Sequence, residues 1–297
     1  MLAAAALAGL MLCASATTAL ASFTQEPGSP YNVGASPYGV LVADFDSGTR
    51  PDVVTINGTS SNASVLLRQP VGGFAQEAGS PVAVGTGPNF GAVGDFNVDG
   101  RPDIAVSNYA SDNVTILVRQ PGSGFAQSLG SPIPAGDGPA ALAAADFNGD
   151  TLLDLAVPDY LTNRVTILLR QGGTFVAEAG PPATGARPRD IAAADFNGDG
   201  RPDLAVTNYS SNNVTILLRN AGAGFTQEAG SPIAVGAVPF GIIGEDQRRR
   251  APRSRGGQLS GEHDHGPAAQ GRGRLYAGRR ADRRRWAAPR HRDRRLQ

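Results

Sequence analysis

The chain has 297 residues, with 26 basic and 26 acidic side chains and hence no net charge at neutral pH. Every basic residue is arginine, the single cysteine is Cys13, and the three histidines are 263, 265 and 291. Residues 22–244 thus contain no His, Cys or Lys, which excludes Ser-His-Asp and Cys-His catalysis, imidazole-bound zinc and disulfides from that span.

The chain opens on an apolar, small-residue run, Met1–Ala21, that ends Ala19-Leu20-Ala21. It reads as a secretory signal with an A-x-A-like cleavage site, although a basic n-region is missing. It is too short for a membrane span, so an extracellular product is expected. Residues 22–34 resemble 225–236 and predict a fourth strand lacking its own first three.

Four acidic nonapeptides follow. Residues 44–52 read DFDSGTRPD, 95–103 DFNVDGRPD, 146–154 DFNGDTLLD and 195–203 DFNGDGRPD, so the period is 51, 51 and 49 residues. A period of this size marks a solenoid, propeller or array. Oxygen ligands at positions 1, 3, 5 and 9, with a main-chain carbonyl at position 7, suit Ca²⁺. The candidate ligands are Asp95, Asn97, Asp99, Arg101 and Asp103; Asp146, Asn148, Asp150, Leu152 and Asp154; Asp195, Asn197, Asp199, Arg201 and Asp203; and Asp44, Asp46 and Asp52. Arg101, Leu152 and Arg201 contribute as carbonyls. Gly48 removes the acid at position 5, and Thr49 and Thr151 replace the turn glycine, which ranks the first loop last and the third in between. An EF-hand fits less well, because its position 12 needs a bidentate Glu between two helices and here holds Val106 or Val206, leading into a strand.

Each unit predicts four short strands; in the third they cover 140–145, 155–157, 165–169 and 174–178. Val165, Ile167 and Leu169 alternate with Thr166 and Leu168 at the period of a strand. Four strands in about 50 residues make one blade of a β-propeller, so the fold class is all-β. These loops and blades resemble the FG-GAP/VCBS-type repeats of integrin α-subunit heads and secreted bacterial proteins. The resemblance covers 22–244 and implies a β-propeller with Ca²⁺ between the first and second strand of a blade. Four full blades, an orphan strand and a fifth begun at 239–244 predict an incomplete propeller. It is expected to be a monomer unless its open edges associate.

The last stretch of the chain changes character. Residues 1–244 hold 10 Arg and 20 acidic residues, whereas 245–297 hold 16 Arg and 6 acidic ones. The break falls where a fifth loop is due. Joining the last two bases of each codon to the first of the next lets 247–259 encode NGDGRPDLAVANY, which differs from 197–209 only at Thr207. The tail therefore reads as a repeat translated out of frame and is expected to be disordered; its His263-Asp264-His265 and arginine runs are accidental. No nucleic-acid partner is expected.

Glu77, Glu178 and Glu228 recur at equivalent positions, which assigns them a structural role. The turns at 59–63, 110–113, 161–164 and 210–213 vary between units, and Tyr109, Tyr160 and Tyr209 flank three of them. The reading is a secreted, non-enzymatic Ca²⁺-binding propeller that adheres to an extracellular protein or glycan. A scaffold or fragment with no ligand beyond Ca²⁺ is the alternative, and a carbohydrate-active enzyme module stands third.

Overall fold

The computed structural model describes residues 24–26, 28–245 and 274–279, so the segment 1–21 lies outside the described residues. Those residues are all-β, and no helix is long and apolar enough to cross a membrane. The first blade contains β1 (Pro37–Ala43), β2 (Asp52–Asn57), β3 (Asn62–Arg68), β4 (Phe74–Gln76) and β5 (Val82–Ala83). The second repeats this order as β6 (Pro88–Gly94), β7 (Asp103–Asn108), β8 (Asn113–Arg119), β9 (Phe125–Gln127) and β10 (Ile133–Pro134). Blade 3 has β11 (Ala143–Ala145), β12 (Asp154–Asp159), β13 (Arg164–Gln171) and β14 (Thr174–Ala177). Blade 4 has β15 (Pro188–Ala194), β16 (Asp203–Asn208), β17 (Asn213–Arg219), β18 (Phe225–Gln227) and β19 (Ile233–Ala234). Each blade is an antiparallel meander, and the four-stranded unit expected from each repeat is what the chain builds.

The fourth strand is broken in blades 1, 2 and 4, so β5, β10 and β19 pair separately with β3, β8 and β17. A serine bridges the break. Ser80, Ser131 and Ser231 each accept, through Oγ, the backbone N–H of Val65, Ile116 and Ile216, at 2.8, 2.9 and 2.8 Å. The hydroxyl thus replaces the carbonyl that a continuous ladder would supply.

The core lies between blades rather than within one. Strands β7, β12 and β16 are buried along their whole length, as expected of strands covered on both faces. Ala105 and Ile116 of blade 2 pack with Leu155 and Leu168 of blade 3, and Ala156 and Ile167 of blade 3 pack with Leu204 and Leu217 of blade 4. The outermost faces have no such cover: Val40 and Val42 on β1 are 63% and 59% exposed.

A polar latch closes the seams around blades 2 and 4. Glu77, after β4, pairs with Arg119 of the next blade at 2.7 Å and accepts the N–H of Gly124 at 2.8 Å. Glu178 holds Arg219 and Gly224 in the same way, and Glu26 holds Arg68 and Gly73. Glu77 and Glu178 are therefore structural, as their repetition predicts. The arginine lies over a phenylalanine of its own blade, 5.0 Å away for Arg119 and Phe125. That ring meets the loop phenylalanine of the preceding blade edge-on, as Phe45–Phe125 and Phe147–Phe225 do.

One expectation is corrected. The described residues before Pro37 form no strand, because the third strand against which a fourth would pair is missing there. Within the tail, β21 (Arg274–Arg279) pairs antiparallel with β20 (Pro239–Glu245), and 246–273 and 280–297 lie outside the described residues.

Candidate metal centres

The four acidic loops join the first and second strands of the blades, all at the same end of the fold. Their ninth residues open the second strands and are fully buried. Asp103 Oδ2 accepts Phe96 N at 2.9 Å while Oδ1 accepts Arg119 N at 2.7 Å. Asp52, Asp154 and Asp203 make the same two contacts in their own blades. Asp52 Oδ2 and Asp203 Oδ2 also accept a second N–H, from Asp46 and Asn197, each at 3.3 Å. Burial pushes the Asp103 carboxyl up to about 6, the two backbone N–H groups oppose this, and Asp99 and Asp95 add to the rise. Asp154 and Asp203 are raised for the same leading reason.

The first residue gathers the loop amides. Asp195 Oδ1 accepts Gly198 N at 2.7 Å and Asp199 N at 3.1 Å, and Oδ2 accepts Gly200 N at 2.9 Å. Asp95 and Asp146 do likewise. The third and fifth residues face each other: Asn97, Asn148 and Asn197 donate Nδ2 to Asp99, Asp150 and Asp199. Arg101 and Arg201 also place a guanidinium on Asp99 and Asp199, so those carboxylates are already partly neutralised. Their acidity is correspondingly strengthened. For Asp99, burial opposes hydrogen bonds from Arg101 N and Asn97; for Asp199, the Arg201 N–H leads. The seventh residue of the third loop is Leu152, which brings no such charge.

Position 6 takes the left-handed turn in every loop. Gly100 and Gly200 have φ of 83° and 87°, and Thr49 and Thr151 adopt 64° and 73° despite being β-branched. Threonine at this position strains the turn without abolishing it.

The first loop differs in a way its sequence concealed. Carboxylate oxygens of Asp44, Asp46 and Asp52 all lie within 4.8 Å of one another, the one such acidic group among the described residues. Asp44 Oδ1 is buried and has no hydrogen-bond partner. Gly48 leaves no carboxylate for Arg50, whose guanidinium turns away to the carbonyl of Pro70 at 3.1 Å. Asp46 takes the place of the amide found in the other loops. Three hard oxygen donors and one orphaned lone pair fit Ca²⁺ better than any softer cation.

The turns flagged for recognition sit at the opposite end, where Tyr109 and Tyr160 meet edge-to-face at 5.9 Å. Sequence reasoning missed the repeat Gly-x-x-Pro that precedes each first strand. Gly34, Gly85, Gly136 and Gly185 press against the buried side chains of Asn57, Asn108, Asp159 and Asn208, where a Cβ would collide.

Residues 95–157 and 158–206 match the FG-GAP-like repeat, and 188–225 match the FG-GAP repeat. No curated protein matches the chain. Among solved structures, it is similar to BBS1N in complex with ARL6DN, at 14% identity and a TM-score of 0.48, covering 70% of this chain and 60% of that one. A lectin of Agrocybe aegerita that recognises non-reducing terminal N-acetylglucosamine gives 19% identity, TM-score 0.44 and coverage of 65% and 52%. Virginiamycin B lyase of Staphylococcus aureus gives 16%, 0.46, and 71% and 60%. The chain thus spans between 52% and 60% of the length of these three structures.

Proposed function

From the premise that residues 95–225 are FG-GAP-type repeats, we propose that this chain is an exported, non-enzymatic Ca²⁺-binding propeller that presents a ligand-binding surface. The observation that carries the Ca²⁺ reading is the convergence of Asp44, Asp46 and Asp52 around the orphaned Asp44 Oδ1. Asp95, Asn97, Asp99 and Asp103, with their counterparts in the third and fourth loops, would hold further ions. The cation supplies positive charge to clustered carboxylates that otherwise repel one another and resist burial. The absence of His, Cys and Lys from residues 22–244 supports a binding rather than a catalytic role. The basic tail we read as a fifth repeat translated out of frame; resequencing the locus tests that, and an unaltered frame refutes it.

Extracellular Ca²⁺ modules bind with constants of roughly 0.1–1 mM, so at about 2 mM Ca²⁺ a site of about 0.1 mM adds about 1.8 kcal/mol by mass action. The melting temperature should fall on chelation. Asp46→Ala should remove more of that response than Asp199→Ala, because Arg201 already neutralises Asp199. A melting curve indifferent to both Ca²⁺ and chelator would sink the reading.

A further inference from the structure

The first strands of four units slip in register just after their prolines, between Pro37 and Gly39, Pro88 and Gly91, Pro188 and Asp190, and Pro239 and Gly241. A residue inside such a bulge leaves the ladder, and its side chain is re-aimed. In blade 4 that residue is Arg189. Its guanidinium stands 4.4 Å from the ring centroid of Phe240 and 6.0 Å from that of Phe90, so three separate units meet at it.

Arginine over phenylalanine recurs in this fold, but Arg68, Arg119 and Arg219 each hold a glutamate as well. Arg189 has the rings without the acid. Its Nε is buried with no hydrogen-bond partner, and it forms no ion pair among the described residues. The adjacent carboxylate is already engaged: Asp190 Oδ1 accepts Ile191 N and Oδ2 accepts Ile242 N, both at 2.9 Å. Burial pulls Arg189 below its ordinary pKa, while Tyr160, Asp190, Tyr209 and Tyr109 act against that from nearby. A half-buried guanidinium that hydrogen-bonds no acid, with Asp190 acting on it only through space, is stabilised by an arriving anion. At this end of the fold Tyr109 and Tyr160 pack edge-to-face, Arg187 lies over Tyr160 at 5.6 Å, and Tyr209 N donates to the Arg187 carbonyl at 2.9 Å.

We propose that Arg189, with Tyr109, Tyr160 and Tyr209, forms a site for an acidic saccharide whose carboxylate is taken by the guanidinium. A planar fork suits a carboxylate bidentately, and tyrosine offers a ring face for the sugar with a hydroxyl for its polar edge. Pro188 pairs with Asn208, beside the turn at 210–213, whereas β15 ends at the Asp195 loop. Saccharide and Ca²⁺ therefore bind at opposite ends of a strand about 20 Å long. The proposal rests on the ligand-binding reading above and deepens it.

Calorimetric titration of the full chain with three probes tests it: a glucuronate-terminated disaccharide, its glucose-terminated analogue and a short glutamate-rich peptide. The uronate probe should bind at least ten times more tightly than either of the others. Arg189→Gln should weaken uronate binding at least tenfold with the melting temperature held, and Tyr160→Ala, further from the core, should weaken it too. Equal binding of the neutral sugar or of the peptide overturns the proposal, as does unchanged binding by Arg189→Gln. A chain that responds to Ca²⁺ yet ignores all three probes also overturns it, leaving the Ca²⁺ reading intact. A chain that binds uronate without responding to Ca²⁺ supports this site and sinks only the loops.

Discussion

The seam between blades 3 and 4 and the seam between blades 2 and 3 use the same ladder positions, yet only the first is electrically complete. In the former, Glu178 Oε1 and Oε2 clasp Arg219 at 2.9 and 2.7 Å, and the pair is almost wholly buried. In the latter, Ser128 stands where the glutamate belongs. Its side chain is too short to reach Arg170, whose Nη1 is buried without a partner. Phe96 and Phe175 are also further apart, at 6.3 Å against 5.8 Å for Phe147 and Phe225. Repetition fixes the scaffold, but the latch depends on single residues, and one substitution turns a stabilising arginine into a buried, uncompensated one.

Breaking the complete seam should have the largest effect. Glu178→Ala leaves Arg219 buried and unpaired, which costs about 3–5 kcal/mol. Burial works to raise the Glu178 pKa, but the Arg219 and Gly224 hydrogen bonds hold it below the ordinary value. The ionised pair is thus the resting state at neutral pH. Arg170→Met in the incomplete seam removes an orphan and should cost less than about 1 kcal/mol. Equal losses in urea unfolding for the two variants would show that the seams are held by packing alone.

The second contrast is inside blade 3. Asn57, Asn108 and Asn208 donate Nδ2 to an asparagine and to a hydroxyl of the adjacent strand. Asp159 occupies the same position, and Arg164 replaces the accepting asparagine. Only Thr166 bonds to it, at 2.8 Å, and its Oδ1 is buried without a partner. Burial first, then Asp137, pushes this carboxyl up to about 7, against Thr166 and Arg164. The folded chain therefore binds a proton that the unfolded chain releases above its ordinary value of 3.8. The associated stability is fully present below that value and is lost as pH rises through about 7. Asp159→Asn should accordingly be more stable than the parent at pH 8, by an amount on the order of 2 kcal/mol, and should lose that advantage near pH 4. A constant difference across that range would show that Asp159 is not the titrating group.

Much of this was legible in the sequence because a repeat samples the same physics several times. The loops, blade strands and structural glutamates each appear in at least three copies. What stayed hidden depends on partners distant along the chain. The arginines that close Glu77 and Glu178 lie about forty residues away in the next blade, and no local period links them. Arg189 is re-aimed by a bulge, which is a property of strand register rather than of composition. The convergence of acids in the first loop was hidden for a related reason. Counting acids penalised Gly48, whereas in three dimensions its missing side chain leaves Arg50 nothing to neutralise and leaves Asp44, Asp46 and Asp52 converging.

Repair of the incomplete seam is the smallest effect and the sharpest comparison. Ser128→Glu restores the residue type that closes the neighbouring seams. Thr174 occupies the place of Gly124 and Gly224, whose N–H groups accompany the glutamate elsewhere. Its hydroxyl would also lie 3.1 Å from a Cβ at Gly130, so it fills space beside the new side chain. The double variant Ser128→Glu, Thr174→Gly should therefore outperform either single change. The gain is about 1 kcal/mol, because satisfying a buried donor returns 1–3 kcal/mol while ordering a glutamate takes back part of it. In a double-mutant cycle with Arg170→Met, the benefit of Ser128→Glu should vanish once the arginine is gone. A benefit that survives without Arg170 would mean that the new glutamate acts through solvent or backbone, and that the contrast between the two seams does not reside in the missing ion pair.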